Sequence, residues 1–171
     1  MGNIITLNET TPVSEYLSMS NGTTSAFINV FGLSGSRLAQ NDQEKRLIVW
    51  VLEKNQTFVG IGTVGLRICD MPWKDETFSN DKTFILSVLD DIKKKTGWET
   101  LGYNPSEKHI FYCVDYFKNL LNKMTVEDIN HDAIVKWETY TLQWDPVLHG
   151  FPKCEKHGVL LTIWGCQACT D

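Results

Sequence analysis

Three cysteines and a histidine crowd into the last 18 residues (154–171) of this 171-residue chain. They form two pairs, Cys154-Glu155-Lys156-His157 and Cys166-Gln167-Ala168-Cys169, each with two residues between the ligating positions. That spacing lets both side chains of a tight knuckle face one tetrahedral cation while the backbone N–H groups turn toward the sulfurs. Gly158 and Gly165, one beside each knuckle, suit the sharp turns. The run Val159 to Trp164 between the pairs can make a compact hairpin that brings them together. Thiolate and imidazole donors suit zinc, and a shell closed by four protein ligands leaves no position for water or substrate. The expected cofactor is a structural zinc held by Cys154, His157, Cys166 and Cys169, which couples folding of the tail to the metal. His149, five residues before Cys154, is the competing ligand.

These two knuckles resemble the zinc-ribbon type of module over about 18 residues, with eight residues between His157 and Cys166 and one histidine among the four ligands. The resemblance implies two knuckles sandwiching a single structural zinc.

Other patterns carry less chemistry. Gly60-Ile61-Gly62-Thr63-Val64-Gly65 spells G-x-G-x-x-G after an apolar strand, the dinucleotide fingerprint. Its mechanism needs a helix N-terminus directly afterwards to meet the pyrophosphate. Leu66 to Pro72 reads as strand and turn instead, and no Gly-Lys-Ser/Thr follows to make a P-loop. Trp50 to Gly65 resembles the strand-turn-strand of acyl-CoA-dependent N-acetyltransferases, without that family's Gln/Arg-Gly-x-Gly signature. His109 and Cys113 stand four apart on an expected helix and share a face, as a Cys–His nucleophile pair would, but no third polar group is placed locally to orient the imidazole. A cysteine between Tyr112 and Val114 also suits a small core position. Asp90-Asp91 and Glu127-Asp128 are adjacent on helices and therefore point apart, which opposes a shared acid–base role. No catalytic residue is assigned.

The elements that must position the knuckles come from periodicity. Phe84, Ile85, Val88, Leu89 and Ile92 make one helical stripe, with Ser79-Asn80-Asp81 as caps and Gly97 as the stop. A second helix opens at Asn104-Pro105-Ser106-Glu107 in a capping-box arrangement and buries Ile110, Cys113, Val114, Phe117, Leu121 and Met124. Phe27, Val30, Phe31 and Leu38 fit a further helix over 26–39 that Gly32 and Gly35 weaken. Leu47 to Leu52, a polar turn and Thr57 to Ile68 suggest a hairpin; the rival is a buried helix from Asp42 to Lys54 feeding one strand. Residues 125–142 read equally as helix or strand. Thr11-Pro12 marks a helix start in an otherwise irregular 1–25 segment.

The expected fold is α+β, a small antiparallel hairpin or sheet packed against several helices. Residues 1–25 form an N-terminal segment, 26–145 a single core and 146–171 a zinc-knuckle tail. With 16 basic and 21 acidic side chains, the net charge of -5 opposes the counterion release that drives nucleic-acid binding. The basic run Lys93-Lys94-Lys95 complements a helix C-terminus instead. No apolar stretch is long enough for a membrane span, and Met1 to Glu9 has no signal-peptide pattern, so cytoplasmic location is expected. Gly2 with Thr6 matches only a loose myristoylation pattern, and the sequons at Asn8, Asn21 and Asn55 need a secretory route. Six tryptophans are read as core area, the alternative being an exposed anchor in the Trp144-Asp145-Pro146 loop beside the knuckles. The functional expectation is a cytosolic protein-interaction module that scaffolds or neutralises a more basic protein partner. The alternative is a nucleotide- or acyl-CoA-dependent transferase with a cleft near Gly60 to Gly65.

Overall fold

The computed structural model describes residues 3–57, 60–144 and 149–169. The fold is α+β. Helix α1 (Asn21–Leu38) begins at Ser20, whose hydroxyl accepts the Thr23 N–H at 3.1 Å. It starts five residues before the expected 26–39 segment, because this cap lies among polar residues that periodicity passes over. Every residue from Ala26 to Ser36 is buried. A helix buried all round is the centre of a fold rather than its surface.

Helix α2 (Asp42–Leu52) settles the 45–68 alternative against the leading hairpin reading. Asn41 Oδ1 accepts the Glu44 N–H at 2.9 Å, and Glu44 Oε2 accepts the Gln40 N–H at 2.7 Å, so a cap at each end of one turn nucleates the helix. All six residues from Leu47 to Leu52 are buried, with α2 packed against α1 and against α3 (Phe78–Ile92). Gly32 and Gly35 make this packing close: a Cβ on Gly35 would stand 2.3 Å from Ile48 Cδ1, and one on Gly32 would stand 2.5 Å from Leu52 Cδ2. The two glycines weaken α1 as an isolated helix and are what its contact with α2 requires.

Strand β1 (Ile4–Thr6) lies between β2 (Leu17–Ser18) and β5 (Leu66–Arg67). It runs antiparallel to β2, with Ile5 opposite Leu17, and parallel to β5, with Ile5 opposite Leu66. This sheet is mixed rather than antiparallel. The expected hairpin shrinks to β3 (Asn55–Gln56) and β4 (Gly62–Thr63), which pair antiparallel. The Thr11-Pro12 start yields one 3-10 turn, Val13–Glu15, before the chain enters β2.

Helix α3 carries the expected stripe, but it begins at Phe78, so Ser79, Asn80 and Asp81 are inside it. Asp81 is buried there and accepts from Gln43 Nε2 and Thr77 Oγ1, each at 2.9 Å. Gly97, with φ of 84°, stands beyond the helix end at Ile92 and opens the 3-10 turn Trp98–Thr100. Helix α4 (Glu107–Lys123) buries Ile110, Cys113, Val114, Phe117 and Leu121 as expected. Its expected capping box is not formed: Ser106 holds the cap position and Glu107 pairs with Lys95 at 3.2 Å. The open 125–142 region is helical. A 3-10 turn, Val126–Asp128, carries its own Thr125–Asp128 capping box, and α5 (His131–Trp144) follows Asn130, whose Oδ1 accepts the Ala133 N–H at 3.2 Å.

Buried side chains make one cluster that reaches from Ile5 and Leu17 through the helices to Val159, Leu160 and Ala168. No helix among the described residues is long and apolar enough to cross a membrane.

Candidate metal centre

The chain returns to the core after residue 150 through two points on one serine. Leu160 N–H donates to Ser36 Oγ at 2.9 Å, and Lys153 Nζ donates to the Ser36 carbonyl at 2.8 Å. Bridges between Lys153 and Leu160 and between Thr162 and Gly165 then fold the segment back on itself. Gly158 (φ 66°) and Gly165 (φ 84°) take the left-handed conformation at its two turns. The turn closed by Lys153 and Leu160 carries the first knuckle, and the expected Val159–Trp164 hairpin reduces to the tight turn closed by Thr162 and Gly165.

This folding brings the four expected ligands together. Their donor atoms all lie within 4.8 Å of one another, and the group could hold a metal ion. Cys154 Sγ is 3.7 Å from His157 Nδ1 and 3.7 Å from Cys169 Sγ. Cys166 Sγ and Cys169 Sγ are 3.7 Å and 3.5 Å from the same Nδ1. The imidazole therefore turns Nδ1 inward, and its Nε2 reaches the Thr100 carbonyl at 3.1 Å. A proton on Nε2 donated to that carbonyl leaves the Nδ1 lone pair for a cation, the arrangement in which an outer hydrogen bond sets the tautomer of a ligating histidine. Thr100 closes the 3-10 turn between α3 and α4, so the centre is tied to the helical core as well as to its own loop. Nothing in the local sequence of the knuckles points to Thr100, because a backbone carbonyl has no residue-type signature.

The thiols differ in environment. Burial raises the Cys154 thiol, but the backbone N–H groups of His157 and Lys156 and the His157 ring outweigh it and bring the pKa down to about 6. Burial pushes Cys166 up to about 12, and its neighbours Cys154 and Cys169 add to the effect. Crowded sulfurs resist ionising together, and a cation among them removes that resistance. His149 is exposed and outside the cluster.

The other patterns separate in space or take structural roles. Cys113 is buried, 3.3 Å from Met19 Sδ, and burial raises its pKa to about 11, whereas His109 is exposed; the two make no hydrogen bond. After the Gly60–Gly65 run comes β5 and a 3-10 turn, not the helix a pyrophosphate site needs. Asp90 pairs with Lys118 and Asp91 with Arg37, so the adjacent carboxylates do point apart. Lys93, Lys94 and Lys95 pair with Asp115, Asp91 and Glu107. Trp50 and Trp73 are buried and Trp98 and Trp137 partly so. The Trp144 side chain and residues 145 and 146, where an exposed anchor is the alternative to a core reading, lie outside the described residues. No protein-family model, curated protein or solved structure matches the chain.

Proposed function

We propose that this chain is a protein-interaction module whose C-terminal segment is stapled to a helical core by one structural zinc ion. The observation that carries the zinc reading is the spacing of the donors. Zinc bonds of about 2.3 Å to sulfur and about 2.0–2.1 Å to nitrogen, set tetrahedrally, place two sulfurs about 3.8 Å apart and a sulfur about 3.6 Å from the nitrogen. Four of the six donor separations, at 3.5 to 3.7 Å, suit that shell, and all six lie within 4.8 Å. Cys154, His157, Cys166 and Cys169 would fill all four positions, so the ion would hold structure and leave no place for substrate. Its contribution is to draw two loops together and keep Val159, Leu160 and Ala168 against the core.

The interaction reading rests on surface chemistry. Tyr112 on α4 and Val135 and Tyr140 on α5 are each more than half exposed on a chain of net charge -5. Aromatic side chains of this kind are enriched among the anchors of protein interfaces, and an acidic field favours a basic partner.

Elemental analysis of protein purified without a His-tag tests the metal: about one zinc per chain is expected, lost when Cys166 and Cys169 are both replaced by Ser. Freshly reduced protein without metal would remove the zinc reading. A photoreactive residue at Tyr112 tests the interaction, with a discrete adduct to a basic protein as the expected product. Adducts indistinguishable from those of a control at the exposed Asp42 of α2 would oppose it.

A further inference from the structure

A cavity of about 470 Å³ opens where β1 and β5 meet the C-terminal end of α2, and its walls include Thr6, Tyr16, Trp50, Lys54, Arg67 and Asp70. Its volume falls within the range of small-molecule sites. Every residue of it comes from the first 70 positions, so it is separate from the metal centre.

The charges on its walls are unequally matched. Arg67 is compensated, with Glu9 at 2.8 Å and Asp70 at 3.6 Å. Asp70 is engaged again by Asn130 Nδ2 at 2.7 Å. Lys54 differs: among the described residues its ammonium makes neither an ion pair nor a side-chain hydrogen bond, and it lies 3.9 Å from the centre of the buried Trp50 ring. A ring face attracts a cation without neutralising it. Burial lowers the Lys54 pKa, and the carboxylates of Glu53 and Asp70 offset this only in part. The lysine is thus a half-buried cation with no direct ion pair among the described residues, on the wall of a cavity of ligand size. Tyr16 stands on the same wall with a hydroxyl that makes no hydrogen bond among the described residues.

We propose that this cavity binds a small organic anion, whose carboxylate or phosphate group pairs with the Lys54 ammonium and accepts from the Tyr16 hydroxyl. The two wall carboxylates are held by Arg67 and Asn130, which leaves Lys54 to the incoming anion. The body of the ligand occupies the space between Tyr16 and Arg67. Gly65 lines the cavity beside Leu66. Gly60 and Gly62 lie outside it.

Titrating inorganic phosphate and, separately, succinate into the metal-loaded full chain, followed by amide NMR, tests the site. Saturable shifts at Lys54, Gly65 and Arg67 are expected for at least one of the two anions. Replacing Lys54 by Met should weaken that binding about tenfold or more, the scale of one lost charge-assisted contact. Shifts that fail to saturate with either anion, or an affinity unchanged in the K54M protein, overturn the proposal. If K54M does not fold, acetylation of the wild-type protein by acetic anhydride, mapped by mass spectrometry, replaces it. The bound anion must slow modification of Lys54 while leaving exposed Lys156 unaffected, and equal rates with and without anion overturn the site.

Discussion

His157 is the residue on which the local and distant parts of the metal centre meet. Its Nδ1 lies among the three sulfurs and its Nε2 on the Thr100 carbonyl. Replacing it with Cys keeps four soft ligands but discards the outer hydrogen bond. The H157C protein should therefore still carry about one metal per chain, with affinity weakened on the order of 10- to 100-fold in a chelator competition. Equal affinity would show that the Thr100 contact does not tune the site. The five cysteines should also divide by reactivity. Burial raises Cys69 to about 12 and Cys113 to about 11, so at pH 8 both remain protonated and closed to an alkylating reagent. Stripping the metal from native protein should open Cys154, with its lowered pKa, and the exposed Cys169 first, with Cys166, pushed up to about 12, reacting more slowly, and denaturation should open all five, as counted by intact mass. Labelling of Cys113 in the native state would contradict its place in the core.

At the scale of elements, the contact between α1 and α2 depends on two missing side chains. Alanine is a better helix former than glycine by about 1 kcal/mol, so Gly35→Ala would stabilise α1 in isolation. In the fold, the added methyl meets Ile48 at its Cδ1, Cγ1 and Cγ2, at 2.3, 2.9 and 3.2 Å, and Ile48 is fully buried. The clash should win, with a net loss of about 1–3 kcal/mol in denaturant unfolding. Combining it with Ile48→Val, which removes Cδ1, should cost less than the sum of the two single changes, because the pair shares one space. Ser36 plays the matching role for the C-terminal segment. Ser36→Ala leaves the Leu160 N–H without its acceptor in a buried setting, at a cost of about 1–3 kcal/mol. The same variant should release metal to a chelator faster than wild type, because Leu160 lies between the two knuckles.

For the whole molecule, the proposed metal and the core would act on one another through the tail. An ion that binds only the folded chain raises its melting point, and its removal must lower it. Hydrogen exchange after chelation should rise first over residues 154–169, while amides at the centre of α1 stay protected, since α2, α3 and α4 also pack against that helix. Simultaneous loss of protection in both would mean that the tail and the helices fold as one cooperative unit. Much of this arrangement was legible in the chain. The paired spacings around Cys154 and Cys166 are local, and four matched donors point to one cation whatever surrounds them. The stripes of α3 and α4 could be read because each has one covered face. The run from Leu47 to Leu52 could not be assigned, since six apolar residues satisfy a buried helix and a buried strand alike. Its conformation was decided by α1 and α3, which cover it on more than one side and leave no pattern to alternate. Sequence by itself therefore determined the four candidate donors, the charge and the one-faced helices, all of which depend on residues near one another in the chain. Only the tertiary structure decided that Thr100 would orient His157, that Gly32 and Gly35 would admit a second helix, and that Lys54 would line a cavity with no ion pair among the described residues. Each of these is a contact between distant segments, and its energy exists only after the chain has closed.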